Sequence, residues 1–449
     1  MQKIALKLKT LRFGDVAIRR NPLFYAQARD QLEALEQASA DTRWQWTRAQ
    51  LAATLWCARR TAYGRRIGGN GEVETWPILD KSTVRADPGA FLSGARFLTA
   101  KASTGGTRGA PLPLVRSLRS IVHEQACIDR MIGLLGVDAA NARIAVLRGD
   151  NVKDPSDFRP PYWTYAAGGR RMVMSSNHLN AATVGAYAEA LEKFAPDVFW
   201  AYPTSLEALC VQLEKTGRKL TLPRILTSSE LLHPEVWRHA KRVLGCSLVD
   251  YYGQAERVGF AYAQEPSQYR FLPGYAHVEL IPAAEEGLYE IVGTGLWNRT
   301  MPLIRYRTGD LVRLDKHASP ADITLGLQTF EGVLGRDTDI LISPDGVRLT
   351  GIDHFQREVA NLVRIQVIQE SLDDVRILVL ASPAYGEADE AKLSGNVKKK
   401  LPASMRVRYE RTDRLERTAL GKAPFVIHRP AVKALLTEKG SEQISGNRG

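Results

Sequence analysis

The sequence predicts an α/β fold with a large N-terminal domain and a small, mobile α+β C-terminal domain. Short apolar β-type runs alternate with helical stretches through the middle of the chain, which favours a parallel sheet with packed helices. From about His277 the runs shorten and turns separate them, which indicates a small β subdomain. After residue 336 a separate pattern of strands and helices begins. We therefore expect domains at residues 1–335 and 336–437, with a disordered tail at 438–449.

Residues 26–63 are predicted to be helical. Apolar residues recur there at helical spacing, and no proline interrupts them. Two tryptophans that share this spacing, Trp44 and Trp56, are expected to be core anchors rather than parts of a ligand site.

The next elements are predicted from apolar runs that end at glycine, proline or polar turns. We expect strands at residues 143–149, 197–203, 224–230 and 247–253, and helices at 181–196 and 205–217. In the C-terminal domain we expect a helix at 354–362, a second helix further on, and strands that include 375–380 and 406–409.

Composition restricts the class of protein. The chain has 449 residues, 44% of them hydrophobic, and no apolar run long enough to cross a membrane. The four cysteines form no C-x-x-C pair and the N-terminal segment lacks an apolar signal region, so we expect a cytoplasmic location. His123, Cys127 and Cys210 could be metal ligands, but buried thiols and a histidine on a helix surface are the favoured interpretation.

The net charge of +12 does not by itself identify a partner. Lysines and arginines are spread along the chain, whereas a nucleic-acid-binding protein concentrates them with aromatic residues on one element. We therefore expect no nucleic acid partner, and we interpret the lysine run at 398–400 as a solvated face.

Two segments have the composition of a nucleotide site. In KASTGGTRGAPL, residues 101–112, glycines allow backbone N–H groups to approach an anion and hydroxyls add donors, although no Walker lysine follows. In DYYGQAERVG, residues 250–259, Tyr252 could stack on a purine and Glu256 could hold a hard cation. A surface turn and a helix-capping glutamate are the structural alternatives.

Three later segments add single charged residues. Asp310, in a Thr-Gly-Asp turn between two β-runs, could accept hydrogen bonds from two ribose hydroxyls. Arg336 lies where the pattern changes, before an Asp345-Gly346 hairpin turn, and could reach a nucleotide. Lys422 follows a glycine near the end of the folded part and could meet negative charge developing at a phosphate. Each segment alone also has a purely structural explanation.

The order and spacing of these five motifs resemble the adenylate-forming superfamily of acyl-CoA ligases, luciferases and peptide-synthetase adenylation domains. The chain is more closely similar to the phenylacetate–CoA ligase branch, which includes relatives from capsular-polysaccharide loci. The resemblance runs from about Trp76 to His428 and includes WPILDKSTVR, FWAYPTSLEAL and ILTSSELLHP. It implies a ligase that uses ATP and Mg²⁺ to activate a carboxylic acid as its acyl-AMP.

The resemblance also implies roles for individual residues. Tyr252 and Gly253 match the adenine-binding segment, and Glu256 matches the magnesium-binding residue. Asp310 and Arg336 match the pair that reaches the ribose, with a hinge within residues 336–339. The residues expected to contact the ATP phosphates are Ser103, Thr104, Gly105, Gly106, Thr107, Arg108 and Gly109. The catalytic lysine that bridges the carboxylate and the α-phosphate is matched by Lys422.

Two positions depart from the family pattern. Arg108 stands where threonine or serine is usual, and Ala255 stands where many relatives have a hydroxyl residue. Both changes remove hydroxyl donors near the phosphates, but Arg108 could bind an anion as a charged fork. Because the other motif residues are present, activity is expected to be retained; a non-catalytic nucleotide-binding paralogue is the alternative.

The acid is expected to be aryl or short acyl, because aromatic and small residues line the expected pocket. The residues expected to line it are Tyr202, Ser228, Ser229, Glu230 and Tyr251. Coenzyme A is the expected acyl acceptor, and an amine, an alcohol or a carrier thiol is the alternative. The sequence allows a homodimer.

Overall fold

The computed structural model describes most of the chain. It covers residues 18–94, 98–103, 112–148, 150, 152–154, 157, 159–283, 285–336, 341–345, 348–349, 352–356, 359–417 and 423–432. For residues 335, 336, 348, 353 and 354 only the backbone is described.

Helices occur in three groups along the described chain. The N-terminal group precedes the first strand, the second group alternates with the strands of the central sheet, and two helices lie further on. Their bounds are α1 (Tyr25–Gln37), α2 (Ala40–Ala58), α3 (Ala62–Arg66), α4 (Lys81–Ala86), α5 (Leu118–Leu134), α6 (Val184–Phe194), α7 (Pro203–Thr216), α8 (Pro234–Leu244), α9 (Pro320–Thr324) and α10 (Glu387–Lys398).

The central layer is an eight-stranded sheet in the order β10-β9-β8-β7-β6-β3-β5-β4. Strands β3, β5, β6, β7 and β8 run parallel, and antiparallel strands complete both edges. The bounds are β3 (Ile144–Leu147), β4 (Trp163–Ala166), β5 (Arg171–Met174), β6 (Val198–Ala201), β7 (Arg224–Ser228), β8 (Ser247–Gly253), β9 (Phe260–Ala263) and β10 (Arg270–Phe271). The predicted α/β class with parallel pairing is confirmed.

The central strands form because their apolar runs are covered on both faces. Every residue of β3 (IAVL) and of β6 (VFWA) is buried, as is typical of parallel strands between two layers of helices. Helices α6, α7 and α8 follow β5, β6 and β7 in the chain, and their apolar residues belong to the same core.

Two smaller β units flank this layer. A hairpin of β1 (Thr99–Ser103) and β2 (Pro113–Ser117) precedes α5. A four-stranded antiparallel sheet contains β11 (Ala276–Pro282), β12 (Leu288–Gly295), β13 (Tyr306–Arg313) and β14 (Val333–Arg336). This sheet is the predicted small β subdomain.

The last part of the chain has its own hydrophobic core, formed by residues between Leu341 and Val426. Val211 of α7 packs with buried residues of this part, including Ile368 and Leu378. The predicted boundary between residues 335 and 336 stays a prediction. The strands of this part are β15 (Leu341–Ile342), β16 (Arg348–Leu349), β17 (Leu362–Gln369), β18 (Asp374–Ala381), β19 (Arg406–Arg411) and β20 (Val426–His428).

The helix predicted at residues 354–362 is wrong. A 3₁₀ turn occupies Ile352–Gln356, and β17 begins at Leu362. Phe355, Val359 and Leu362 are all buried, so their helix-like spacing reflects core positions in a 3₁₀ turn, before a strand and at the start of that strand. The run LVRIQVIQ then favours a strand because it is rich in β-branched residues.

The helical prediction for residues 26–63 is confirmed by α1, α2 and α3, but Trp44 and Trp56 are not core anchors. Ser39 caps α2 by accepting a hydrogen bond from the Thr42 amide. A new helix therefore starts at Ala40, and its buried face is not continuous with that of α1. The buried face of α2 includes Leu51 and Leu55, while Trp44 and Trp56 are 42% and 51% exposed.

His123 is buried rather than on a surface. Its ring stacks on Trp297 at 3.8 Å, and its Nδ1 lies 3.7 Å from Cys127 Sγ. Within the described part of the chain, no three histidine, cysteine or acidic residues are grouped to hold a metal ion. No described helix is long and apolar enough to span a membrane.

Candidate active site

Four parallel strands of the central sheet are in register near their carboxyl ends. This alignment places a row of side chains along that end of the sheet. Leu147, Ala201, Thr227 and Asp250 are cross-strand neighbours on β3, β6, β7 and β8. Each is followed by a residue of the row, namely Arg148, Tyr202, Ser228 and Tyr251. In open α/β sheets the crevice at the carboxyl ends of the strands is the usual ligand site.

Next to this row, Tyr252 and Asp310 lie in direct contact. The Tyr252 hydroxyl donates to Asp310 Oδ2 at 2.7 Å, and Gln254 Nε2 donates to the Tyr252 oxygen at 2.7 Å. Burial, followed by the charge of Asp310, holds the pKa of Tyr252 well above its usual range. Tyr252 therefore stays protonated. Its ring lies at the end of β8, next to the Asp310 carboxylate, which accepts a hydrogen bond from the Tyr252 hydroxyl.

Asp310 does not lie in a turn between two strands, as the sequence predicts. It belongs to the continuous strand β13. The register of β13 shifts in its pairing with β12 and in its pairing with β14, and Gly309 has a φ of +73°. Glycine adopts this conformation without the penalty that a Cβ brings. The backbone of Asp310 pairs with that of Arg336 on β14, which places the two ribose-contacting candidates on adjacent strands.

Glu256 lies in the turn between β8 and β9, so it is not the capping residue of a helix. Its Oε1 accepts a hydrogen bond from the Tyr306 hydroxyl at 2.8 Å and lies 3.5 Å from Lys81 Nζ. The side chain is 7% exposed. Both contacts are with Oε1, so Oε2 fits a hard cation such as Mg²⁺.

The turn that carries Glu256 is fixed by close packing. Gln254 Oε1 accepts a hydrogen bond from the Gly259 amide at 3.2 Å, which closes the turn. A Cβ added at Gly293 of β12 would lie 1.9 Å from the carbonyl oxygen of Val258, so only glycine permits this approach. Arg116 of β2 donates to the Ala255 carbonyl oxygen at 2.6 Å. Ala255 thus contributes its backbone to the contact between this turn and the β1–β2 hairpin.

Ser103 is the last residue of β1, is exposed, and pairs with Pro113 of β2. The other phosphate-loop candidates, Thr104, Gly105, Gly106, Thr107, Arg108 and Gly109, lie outside the described residues. So do Lys422 and the side chain of Arg336. Their roles stay predictions.

The predicted acid pocket has an aromatic wall with hydroxyl groups. Trp200 Nε1 donates to Ser228 Oγ at 3.2 Å, and the ring centroids of Trp200 and Tyr251 are 6.3 Å apart. Burial raises the pKa of Tyr251 to about 12, so its hydroxyl is neutral at physiological pH. Ser229 has a φ of +72° and its Oγ lies 3.3 Å from Ser228 Oγ.

Glu230 uses both carboxylate oxygens in protein contacts. Its Oε2 accepts from the Thr204 amide at 3.1 Å and from Thr204 Oγ1 at 2.7 Å. Its Oε1 accepts from the Ala423 amide at 3.2 Å, and Arg364 Nη2 donates to the Ala423 carbonyl oxygen at 3.1 Å. We call Glu230 and Arg364 the Ala423 clamp. The clamp holds the residue that directly follows Lys422 in the sequence.

Sequence reasoning missed several residues of the site. Arg148 directly follows β3, as Tyr202 directly follows β6. The rule that placed Tyr202 in the pocket would therefore also have placed Arg148 there. Tyr306 and Lys81 contact Glu256 from other elements, and nothing local in the sequence indicates these contacts.

Two family models match the chain. The model described as AMP-binding enzyme matches residues 157–280, which include β6 to β9 and Glu256. The model described as CapK C-terminal domain matches residues 341–429.

The chain is similar to two curated relatives over half or more of its length, and to a solved structure over most of its length. Protein CapK of Staphylococcus aureus is 20% identical over 362 residues, which are 78% of this chain and 79% of CapK. The phenylacetate-coenzyme A ligase of Aromatoleum evansii is 24% identical over 54% of this chain and 60% of that ligase. The crystal structure of 2-hydroxyisobutyryl-CoA ligase in the postadenylation state, in complex with R3-HIB-AMP, has a TM-score of 0.61 and 17% identity. That match covers 88% of this chain and 91% of the ligase, and it shows the fold.

Proposed function

Because this chain is an adenylate-forming ligase of the phenylacetate–CoA ligase-like kind, related to CapK, we propose that it activates a carboxylic acid as its acyl-AMP. ATP is the second substrate and pyrophosphate is the first product. The acyl group then passes to an acceptor, by default coenzyme A.

One arrangement carries the proposal: two acidic residues and an aromatic ring meet where β8 ends. Tyr252 offers a ring for adenine and contacts Asp310 at 2.7 Å, and Glu256 follows in the next turn. The contact that Asp310 makes with the Tyr252 hydroxyl is of the kind that a ribose hydroxyl would make. The site therefore offers one feature for each part of a nucleotide.

Glu256 would hold Mg²⁺ through its Oε2. When bound, the cation neutralises charge on the phosphate oxygens. Tyr306 and Lys81 keep the Glu256 carboxylate in one orientation through Oε1.

In the first step a carboxylate oxygen of the acid attacks the α-phosphorus, and the bond to the pyrophosphate oxygen breaks. Little covalent work is required of the protein, so positioning and charge neutralisation supply the catalysis. Lys422 would neutralise the carboxylate and the α-phosphate, and the Ala423 clamp would hold its neighbouring peptide at the edge of the central sheet.

In the second step the sulfur of coenzyme A attacks the acyl carbonyl carbon and AMP leaves with the former carboxylate oxygen. We propose that the small domain turns about a hinge within residues 336–339 between the two steps. The cytoplasmic location and the homodimer stay predictions.

The proposal is tested by pyrophosphate release with ATP, Mg²⁺ and hydroxylamine, which captures acyl-AMP, across aryl and aliphatic acids. We expect release that depends on the acid and that falls at least about 100-fold in Lys422→Ala. Lys316→Ala, an exposed lysine, is the control. ATP binding without release for any acid would favour the non-catalytic paralogue, and absence of ATP binding would contradict the proposal.

A further inference from the structure

Arg148 is a cationic side chain in the acid pocket that the proposed mechanism leaves without a role. It follows β3 directly and lies at one end of the row that continues through Tyr202 and Ser228 to Tyr251. We propose that Arg148 binds a second anionic group of the acid, so that the substrate is an elongated acid with two acidic groups. This inference rests on the proposed function and names its substrate class.

Two aromatic rings hold the guanidinium of Arg148 in place. Its central carbon lies 4.4 Å from the ring centroid of Trp200 and 5.4 Å from that of Tyr202. Aromatic faces attract a guanidinium but accept none of its in-plane hydrogen bonds. Trp200 in turn is fixed by its hydrogen bond to Ser228.

One N–H group of Arg148 lacks a partner. The Nε atom is buried and has no hydrogen-bond partner. Asp150, two residues further along the chain, acts on Arg148 through its charge, but within the described ranges no carboxylate lies in ion-pair contact with this side chain. A buried donor of a charged group is costly when it stays unsatisfied. The acidic residues nearest to this part of the pocket are Asp150 and Glu230, and Glu230 is already bound by Thr204 and Ala423. An anion with two oxygens would supply what the guanidinium lacks, since its fork binds such groups in a bidentate way.

The position of Arg148 along the sheet indicates the length of the acid. The guanidinium of Arg148 lies over Trp200 of β6, and neighbouring strands lie about 4.8 Å apart, so it is about two spacings, or roughly 10 Å, from β8. The reacting carboxylate must lie near β8, because Tyr252 and the turn with Glu256 are there. A group bound by Arg148 would therefore be at the opposite end of the acid. A dicarboxylate, linear or built on an aromatic ring, meets this requirement, whereas a short acyl group does not.

The test compares matched pairs of acids in the pyrophosphate assay. Suberate is paired with octanoate, and 4-carboxyphenylpropionate with 4-methylphenylpropionate. We expect wild-type protein to favour the diacid of each pair by about 10- to 100-fold in kcat/KM, the range for one hydrogen-bonded charge pair. Arg148→Met should abolish this preference through the KM for the acid and leave the KM for ATP unchanged. Arg148→Lys should retain part of it.

Arg143→Met is the control variant, because Arg143 precedes the same strand and also lies over an aromatic ring, 4.7 Å from the Phe194 centroid. It should behave as wild type. Calorimetric binding of the same acids in the presence of ATP gives a second result that needs no turnover. Tighter diacid binding that Arg148→Met abolishes supports the inference, even if no acid releases pyrophosphate and the proposed function fails. Equal binding and use of both members of each pair by wild type would overturn the inference and leave the proposed function intact.

Discussion

The proposed contact between Asp310 and the ribose of ATP can be tested with a single substitution. In Asp310→Asn the amide oxygen can still accept the Tyr252 hydrogen bond, but the charge that strengthens a bond from ribose is lost. We expect the KM for ATP to rise about tenfold, with a much smaller change in the KM for the acid. Asp315→Asn, an exposed carboxylate after the same strand, should change neither value. An equal rise in both KM values for Asp310→Asn would contradict a ribose-binding role.

Glu256 gives a prediction on the metal. Glu256→Gln keeps an oxygen that can accept from Tyr306 but removes the charge that a hard cation prefers. We expect half-maximal pyrophosphate release to need at least about tenfold more Mg²⁺. The measurement is a magnesium titration at fixed ATP. An unchanged magnesium requirement with a lower kcat would instead indicate that Glu256 acts only through the packing of its turn.

Where a motif is local, the sequence predicts which element carries a candidate residue. Tyr252 and Glu256 are four positions apart, and their placement by β8 and the following turn agrees with the motif. Partners could not be predicted, because Lys81 and Tyr306 are 175 and 50 positions from Glu256. The partners of Glu230, which are Thr204 and Ala423, could not be predicted either, because only the folded chain brings them together. The place of Glu230 in the acid pocket stays a prediction.

At the scale of elements, the Ala423 clamp connects the end of β7 to the segment that follows Lys422. Glu230→Ala removes the acceptor for the Ala423 amide and should leave the lysine segment less well positioned. We expect pyrophosphate release to fall about 10- to 100-fold, the effect of one charge-assisted hydrogen bond. Acyl transfer from preformed acyl-AMP, which does not need Lys422 in the proposed mechanism, should be unchanged.

Two variants make this test specific. Glu230→Gln retains an acceptor oxygen and should recover part of the first rate. Glu235→Ala, in the first turn of α8, removes an exposed carboxylate nearby and should affect neither step. An equal loss in both steps for Glu230→Ala would show that Glu230 supports the fold rather than the position of Lys422.

Elements were predictable where hydrophobic pattern and local propensity agree. The buried strands β3 and β6 and the helix α6 between them satisfy both. The pattern failed at 354–362, where Phe355, Val359 and Leu362 reach the core without a helix. It failed again at Trp44 and Trp56, because the capped start at Ser39 sets a new helical phase.

Across the whole molecule, a buried carboxyl group couples pH to stability. Glu207 of α7 is fully buried, neither of its oxygens is hydrogen-bonded, and Oε2 lies 4.0 Å from Arg364 Nη1 of β17. Burial raises the pKa of Glu207 to about 8 from an ordinary value of 4.5. Between these two values the folded chain holds a proton that the unfolded chain has lost. The free energy of unfolding should therefore fall as pH rises, by up to about 1.4 kcal/mol per pH unit.

Glu207→Gln should remove this contribution, because the amide does not titrate. We expect the Tm of wild type to decrease more steeply than that of the variant between pH 5 and pH 8. Thermal unfolding of both proteins across this range gives the comparison, and the difference between them cancels other titrating groups such as Asp250, whose pKa burial raises to about 6. Parallel curves would mean that Glu207 titrates normally.

The α/β class of the central sheet was the most predictable property of the molecule, because it follows from the alternation of apolar strand and helix patterns. The contacts between parts were not predictable. Val211 of α7 packs with Leu378 of β18, and Arg364 reaches Ala423, over separations that no local pattern encodes. The Arg364 contact fixes the position of Ala423, which follows Lys422 in the sequence.

The central claim, attack of a carboxylate on the α-phosphorus of ATP, is tested most directly by following an oxygen atom. An acid labelled with ¹⁸O in its carboxylate is incubated with ATP, Mg²⁺ and an acyl acceptor, and the products are analysed by mass spectrometry. The account predicts one ¹⁸O atom in AMP and none in pyrophosphate. Label in inorganic phosphate together with ADP would place the attack on the γ-phosphorus and would contradict acyl-AMP formation.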